Sequence, residues 1–467
     1  MRSGTRTLGE IQSDWQQISP ANEGINAHDG SVFGFHAGAR HTFRRMARPP
    51  LCRRPARDIM ALSIWPQVAP NHAATNRGKR MGANGNILAL ACATVLGLCG
   101  LSLMAEGQPA PTPASAGGGP PKYKYDPTWP KELPNKWTFE GITGMYVDKN
   151  DVIWVLNRPR DFDDKENAAA VNPPAGECCV PPPAVMAFDP AGNLLHAWGV
   201  PNSVPGWPRS EHTIFTDRAG NVYIGGAQAG DTLMKFTVDG KFITDFGHRG
   251  PASEGAGQKQ DNQQTDLLLR GVAAATLDED AHELYIADGY LNRRVIVFDS
   301  DTGKFKRGWG AYGKPLSEID NDPQPAHDPK GAPAAQFKSP VHCVRISNDG
   351  LLYVCDRGGD RIQVFTKQGR FLKEFFVANE TLRGGAAGSV DFSPDPEQKY
   401  IFVADIVNNV VWELERQTGR IVDKIGHHGH AGGQFHFVHV ATMDSKGNLY
   451  TGEVDSGKRV QKFVPVR

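Results

Sequence analysis

The chain has 467 residues, enough for one large domain with tails, and its 51 Lys+Arg balance 51 Asp+Glu, so charge gives no reason to expect a nucleic-acid or acidic partner. The balance hides an asymmetry: residues 1–80 carry 12 Lys+Arg against 5 Asp+Glu and lack any sustained apolar period, as a disordered or untranslated extension would.

Residues 81–107 read as a targeting segment. Arg77, Lys79 and Arg80 precede Met81, and the run Ile87 to Ala105 (ILALACATVLGLCGLSLMA) is apolar and uncharged. This is the layout of a signal peptide starting at Met81 and cleaved near Ala105-Glu106-Gly107, or of a single membrane anchor of the same length. Either way the protein is expected to be exported, periplasmic or secreted, with residues 87–105 as the alternative membrane tether. Residues 108–134 form a Pro/Ala/Gly-rich linker that follows the targeting segment and cannot bury a core.

From residue 135 to 467 one pattern recurs. Short alternating strands separated by Asn, Asp and Gly turns appear in sets, most completely in SPVHCVRISNDGLLYVCDRGGDRIQVF, Ser339 to Phe365. The aromatic or apolar second strands are VIWVLN, NVYIGG, ELYIAD, LLYVCD, YIFVAD and NLYTGE, six in all. Four antiparallel strands repeated six times specify an all-β, six-bladed β-propeller of NHL-repeat type. The last set has no room for a fourth strand before Arg467, so an N-terminal strand is expected to close the ring, and the stretch around Asn135 to Phe139 is the expected source. Three long insertions, Arg160 to Ala184, Gly250 to Asp266 and Ala311 to Gln336, all fall on connections of one face, which marks that face as the functional mouth.

A periodic residue stands at the head of the inner strand. His212, His342 and His439 each precede a turn Gly by eight and a Tyr by eleven, in blades two, four and six; the odd blades put Thr143, Ala273 and Gly388 there. Inner strands line the channel, so alternate blades place three imidazoles about a three-fold axis, the donor set of a zinc site with an open position. A single such His is an ordinary channel residue; three at one register are not so easily explained. Arg158, Arg357 and Tyr290 follow second strands at the same mouth, where two guanidiniums suit a carboxylate and a Tyr beside cations suits proton transfer. His427, His428 and His430, in the linker entering blade six, read as solvated loop residues. Cys178-Cys179 reads equally as a vicinal disulfide or as inert thiols, and Cys343 and Cys355 face each other loosely across one hairpin without an assigned role.

At these residues the sequence resembles the peptidyl-α-hydroxyglycine α-amidating lyase family of zinc propellers, most strongly in the Ser339 to Phe365 stretch, in ADGYLNRRV and in FVHVATMDSKGNLYTGEV. The resemblance implies that His212, His342 and His439 are Zn2+ ligands, that Arg158 and Arg357 are active-site arginines and that Tyr290 is the catalytic tyrosine. It implies a lyase cleaving an N-acyl α-hydroxyglycine to an amide and glyoxylate, with a small-molecule or peptide substrate bearing a free carboxylate, in a monomer. Three positions depart from the family. Val440 replaces an Asp that helps bind structural Ca2+, which puts calcium in doubt; Phe437 replaces a pocket Met; Leu291 replaces a disulfide Cys. The rival readings are a non-catalytic NHL propeller binding a protein or glycan partner, and a metal-dependent hydrolase on the same scaffold.

Overall fold

Alternation of apolar residues at every second position commits each short segment to a strand with one face to each neighbouring blade. In the computed structural model, which describes residues 119–247, 260–263 and 268–466, these segments form six four-stranded antiparallel sheets. The N-terminal extension, the targeting segment and most of the 250–266 insertion lie outside the described residues. Blade one is β2 (Gly141–Val147), β3 (Ile153–Arg158), β4 (Val185–Phe188) and β5 (Leu194–Trp198). Blade two is β6 (Glu211–Thr216), β7 (Val222–Gly226), β8 (Leu233–Phe236) and β9 (Phe242–Phe246). Blade three is β10 (Val272–Asp278), β11 (Glu283–Asp288), β12 (Arg294–Asp299) and β13 (Phe305–Trp309). Blade four is β14 (Val341–Ile346), β15 (Leu351–Asp356), β16 (Arg361–Thr366) and β17 (Phe371–Phe376). Blade five is β18 (Ser389–Phe392), β19 (Tyr400–Asp405), β20 (Val410–Glu415) and β21 (Ile421–Ile425). Blade six is β22 (Val438–Met443), β23 (Leu449–Glu453), β24 (Arg459–Val466) and β1 (Lys122–Asp126).

Blade six shows an N-terminal strand closing the ring, but not the expected one. Lys122 to Asp126 pairs with Lys462 to Val466, within the stretch read as linker. Asn135 and Lys136 adopt φ of 58° and 59°, a left-handed turn that no strand tolerates, and Trp137 makes only an isolated parallel bridge to Val180. The KYKYD segment works as a strand because its two tyrosines face inward, Tyr123 against Phe402 and Tyr125 against Phe463, while its lysines face water.

Cohesion between blades is apolar. Six buried clusters fill the six blade interfaces, for example Trp309, Val295 and Tyr285 of blade three against Val341, Val354 and Phe365 of blade four. Each fully buried Val, Leu or Phe contributes about 1.5–3 kcal/mol, so the ring holds the inner strands rigidly enough to fix side chains in the channel. The second-strand tyrosines also cap turns: Tyr450 Oη donates to Asp444 at 3.0 Å, and Asp444 in turn accepts from the Asn448 side chain at 2.7 Å.

Candidate metal centre

The head of each inner strand is a bulge. Pairing with the second strand skips one residue between Ile142 and Gly144, Glu211 and Thr213, Val272 and Ala274, Val341 and Cys343, and Val438 and Val440. The skipped residues are Thr143, His212, Ala273, His342 and His439; Gly388 sits just before β18, in blade five. A bulge re-aims one side chain, and here it turns the same position of the inner strands toward the axis. The three histidines are at most 5% exposed and their rings lie 4.9–5.0 Å apart, centroid to centroid, nearly perpendicular to one another. One nitrogen of each lies within 4.8 Å of the others.

The small residues of the odd blades have a matching task. His212 Nδ1 lies 2.8 Å from the carbonyl of Ala273, and His342 Nδ1 lies 2.7 Å from that of Gly388. His439 Nδ1 faces the Thr143 backbone in the same sense but falls short of hydrogen-bond geometry. A proton on Nδ1 donated to a carbonyl leaves the Nε2 lone pair toward the axis, the tautomer and orientation that a metal requires. Burial holds all three imidazoles neutral: it lowers His212 and His342 well below their ordinary value and His439 to about 3, with Arg357, Arg158 and the other histidines adding to the effect. Three neutral, pre-oriented Nε2 donors therefore fit a tetrahedral divalent ion with an open position.

Tyr290 stands over this cluster. Its hydroxyl is 2.6 Å from His212 Nε2 and 3.0 Å from His342 Nε2. Gly289 allows the approach, since a Cβ there would collide with the Val341 backbone of β14, and Ser339 Oγ anchors the loop by donating to the Tyr290 carbonyl at 2.7 Å. Burial pushes the Tyr290 hydroxyl up, and Arg357 and then Arg158 pull it back. Arg158 donates through Nε to the Glu211 carbonyl at 3.0 Å and Arg357 through Nε to the Gly384 carbonyl at 2.9 Å. Both are half-buried, and each uses its backbone bond to hold the guanidinium beside the histidines. The structure thus brings together His212, His342, His439, Tyr290, Arg158 and Arg357 around one channel mouth.

Several features escaped the sequence reading. Glu211, next to His212, is buried and fixed by Arg160 Nη1 at 2.8 Å and Trp207 Nε1 at 2.6 Å. Cys343 and Cys355 form a disulfide directly across β14 and β15, beside His342; they sit on facing positions of one hairpin, so the pairing was within reach of the register. Cys178 and Cys179, by contrast, are bonded to each other on the mouth insertion, the disulfide alternative that the sequence had offered. The disulfides are compatible with export. Among the described residues no helix is long and apolar enough to cross a membrane.

No family model matches the chain. It is similar to NHL repeat-containing protein 3. The Homo sapiens protein is 26% identical over 61% of this chain and 73% of its own length, and the Mus musculus protein 25% over 74% and 85%. Peptidyl-glycine alpha-amidating monooxygenase B of Xenopus laevis is 30% identical over 35% of this chain, a match that spans only 16% of that protein. A solved streptogramin B lyase superposes with a TM-score of 0.42 at 14% identity, over 72% of this chain and 96% of that one.

Proposed function

We propose that the chain is a zinc-dependent carbon–nitrogen lyase acting on an N-acyl or peptidyl α-hydroxyglycine, releasing an amide and glyoxylate. The observation that carries this reading is the phenol of Tyr290 within hydrogen-bond distance of two inward-facing Nε2 atoms, with two arginines at the same mouth. A divalent ion bound to the three imidazoles supplies positive charge that lowers the pKa of a hydroxyl placed beside it. Tyr290 then stands where that hydroxyl proton must go. Ionised by the charge of such an ion and the two arginines, Tyr290 would accept the proton; the electron pair of the former O–H bond forms the C=O of glyoxylate, the C–N bond breaks, and the amide nitrogen keeps that pair and takes the proton back from Tyr290. One arginine pairs with the glycine carboxylate and the other offsets the negative charge that develops during cleavage. The partial likeness to an amidating monooxygenase supports the same reading.

A second reading is favoured by the longer likeness to NHL repeat-containing protein 3, which suits a propeller that binds a partner at its mouth without catalysis. Incubating zinc-loaded protein with N-acyl α-hydroxyglycines and measuring glyoxylate separates the two. Release of glyoxylate that depends on Tyr290 establishes the lyase; its absence with every acyl group leaves the binding module.

A further inference from the structure

The mouth holds a second group of imidazoles that the centre does not use. The linker entering blade six folds back on itself, with Phe435 N donating to His427 O at 2.8 Å and Gly429 N to Phe435 O at 2.9 Å. Arg459 pins it by donating to the carbonyls of Gly429 at 3.2 Å, His430 at 2.5 Å and Gln434 at 2.6 Å, while its own charge is matched by buried Glu453 at 2.6 Å. The loop is therefore held in one shape, while His427, His428 and His430 are exposed as the sequence led one to expect.

Its effect is to collect three rings from positions far apart in register. His430 lies 4.4 Å from His436, His428 lies 5.6 Å from His436 and 6.4 Å from His430, centroid to centroid. His427 turns out of the group, its Nδ1 on the His428 carbonyl at 3.0 Å. His436 Nε2 is 2.9 Å from Ser456 Oγ; with the proton there, the lone pair is on Nδ1, which is buried and has no partner. A buried nitrogen without a partner is uncommon enough to need an explanation. The exposed rings of His428 and His430 make no side-chain hydrogen bond among the described residues, so they turn without losing one. Two imidazoles on one tetrahedral ion have centroids roughly 5–6 Å apart, given metal–nitrogen bonds of about 2.0–2.1 Å, so for one ion to hold all three rings the His430–His436 pair must open from 4.4 Å and the His428–His430 pair close from 6.4 Å.

We propose that His428, His430 and His436 form a second metal site on the rim, taking a divalent transition ion through one nitrogen of each ring, His436 through Nδ1, with solvent completing the shell. The Ser456 hydroxyl orients His436 as the odd-blade carbonyls orient the central histidines.

The test uses untagged full-length protein, stripped with chelator, loaded with Zn2+ and desalted, and then analysed for metal per chain. His428→Ala with His430→Ala removes two exposed rings, so it should leave the melting temperature of the metal-free protein unchanged and lower the bound metal by one equivalent. His436→Gln should weaken the same equivalent in a Ni2+ titration by at least tenfold, consistent with loss of one ligand of three. A His428/His430 double variant that retains the full metal content of the wild type, at unchanged fold, overturns the rim site. The central histidines are intact in both variants, so this outcome is independent of whether the lyase reading holds.

Discussion

The central histidines are defined as much by the bulges that aim them as by their identity. Three residues of one register converge on the axis because the ladder skips them, and the unremarkable Ala273 and Gly388 matter through carbonyls rather than side chains. The spacing of His to the turn Gly and the second-strand Tyr was enough to find the three clustered imidazoles, since the blades repeat it without insertion. The bulge was invisible, because pairing register is a property of two strands. His436 was missed as a companion of His428 and His430 because six to eight residues of loop separate them and only the Arg459 anchor folds that loop back. Replacing His212, His342 or His439 by Ala should cost most of the central metal affinity, as read by metal analysis of the purified variant. Replacing His428 should leave the central equivalent untouched. Tyr290→Phe removes one hydroxyl, so metal content and fold should persist while glyoxylate release falls by about 10²- to 10⁴-fold. Arg158→Ala and Arg357→Ala should split, the carboxylate anchor raising KM and the other lowering kcat; equal loss in both parameters for both variants would contradict separate roles.

Among the strands, the one read least well is the one that completes the ring. KYKYD has five residues and follows a Pro/Gly tract, so its alternation is too short to announce a strand, and the hydrophobic support it needs comes from Phe402 and Phe463, hundreds of residues away. The internal blades were legible because each carries its own turns and second-strand aromatic. Near the closing strand, β20 buries Glu413 with neither carboxylate oxygen hydrogen-bonded. Burial raises its pKa to about 8, with Asp423 adding and Lys122 opposing. A folded-state value above the unfolded one means the contribution is fully present below about pH 4.3 and lost as pH rises through about 8. Glu413→Gln should therefore match the wild type near pH 4 and exceed it near pH 9 by on the order of 1–3 kcal/mol in urea unfolding. A stability difference that does not change with pH would show that Glu413 is not the titrating group.

For the whole molecule, ring closure and the histidine cluster meet in blade six. That sheet contains His439 on its inner strand and both the first and last described strands at its outer edge. It also forms the seam with blade one, where His439 meets Thr143 without the full hydrogen bond that the other two histidines enjoy. A ligand held at a seam is held only as well as the seam itself. Removing residues 119–126 deletes no metal ligand, yet should lower the central metal affinity because blade six then has a free edge and a looser inner strand. Metal should in turn slow hydrogen exchange along β22 and β24 more than along the strands of blade three, which contributes no ligand. The propeller thereby behaves like a bracelet whose clasp and jewel are set in the same link: whatever opens the one loosens the other, and a partner or protease that peels β1 away acts on the centre from the far edge of the sheet.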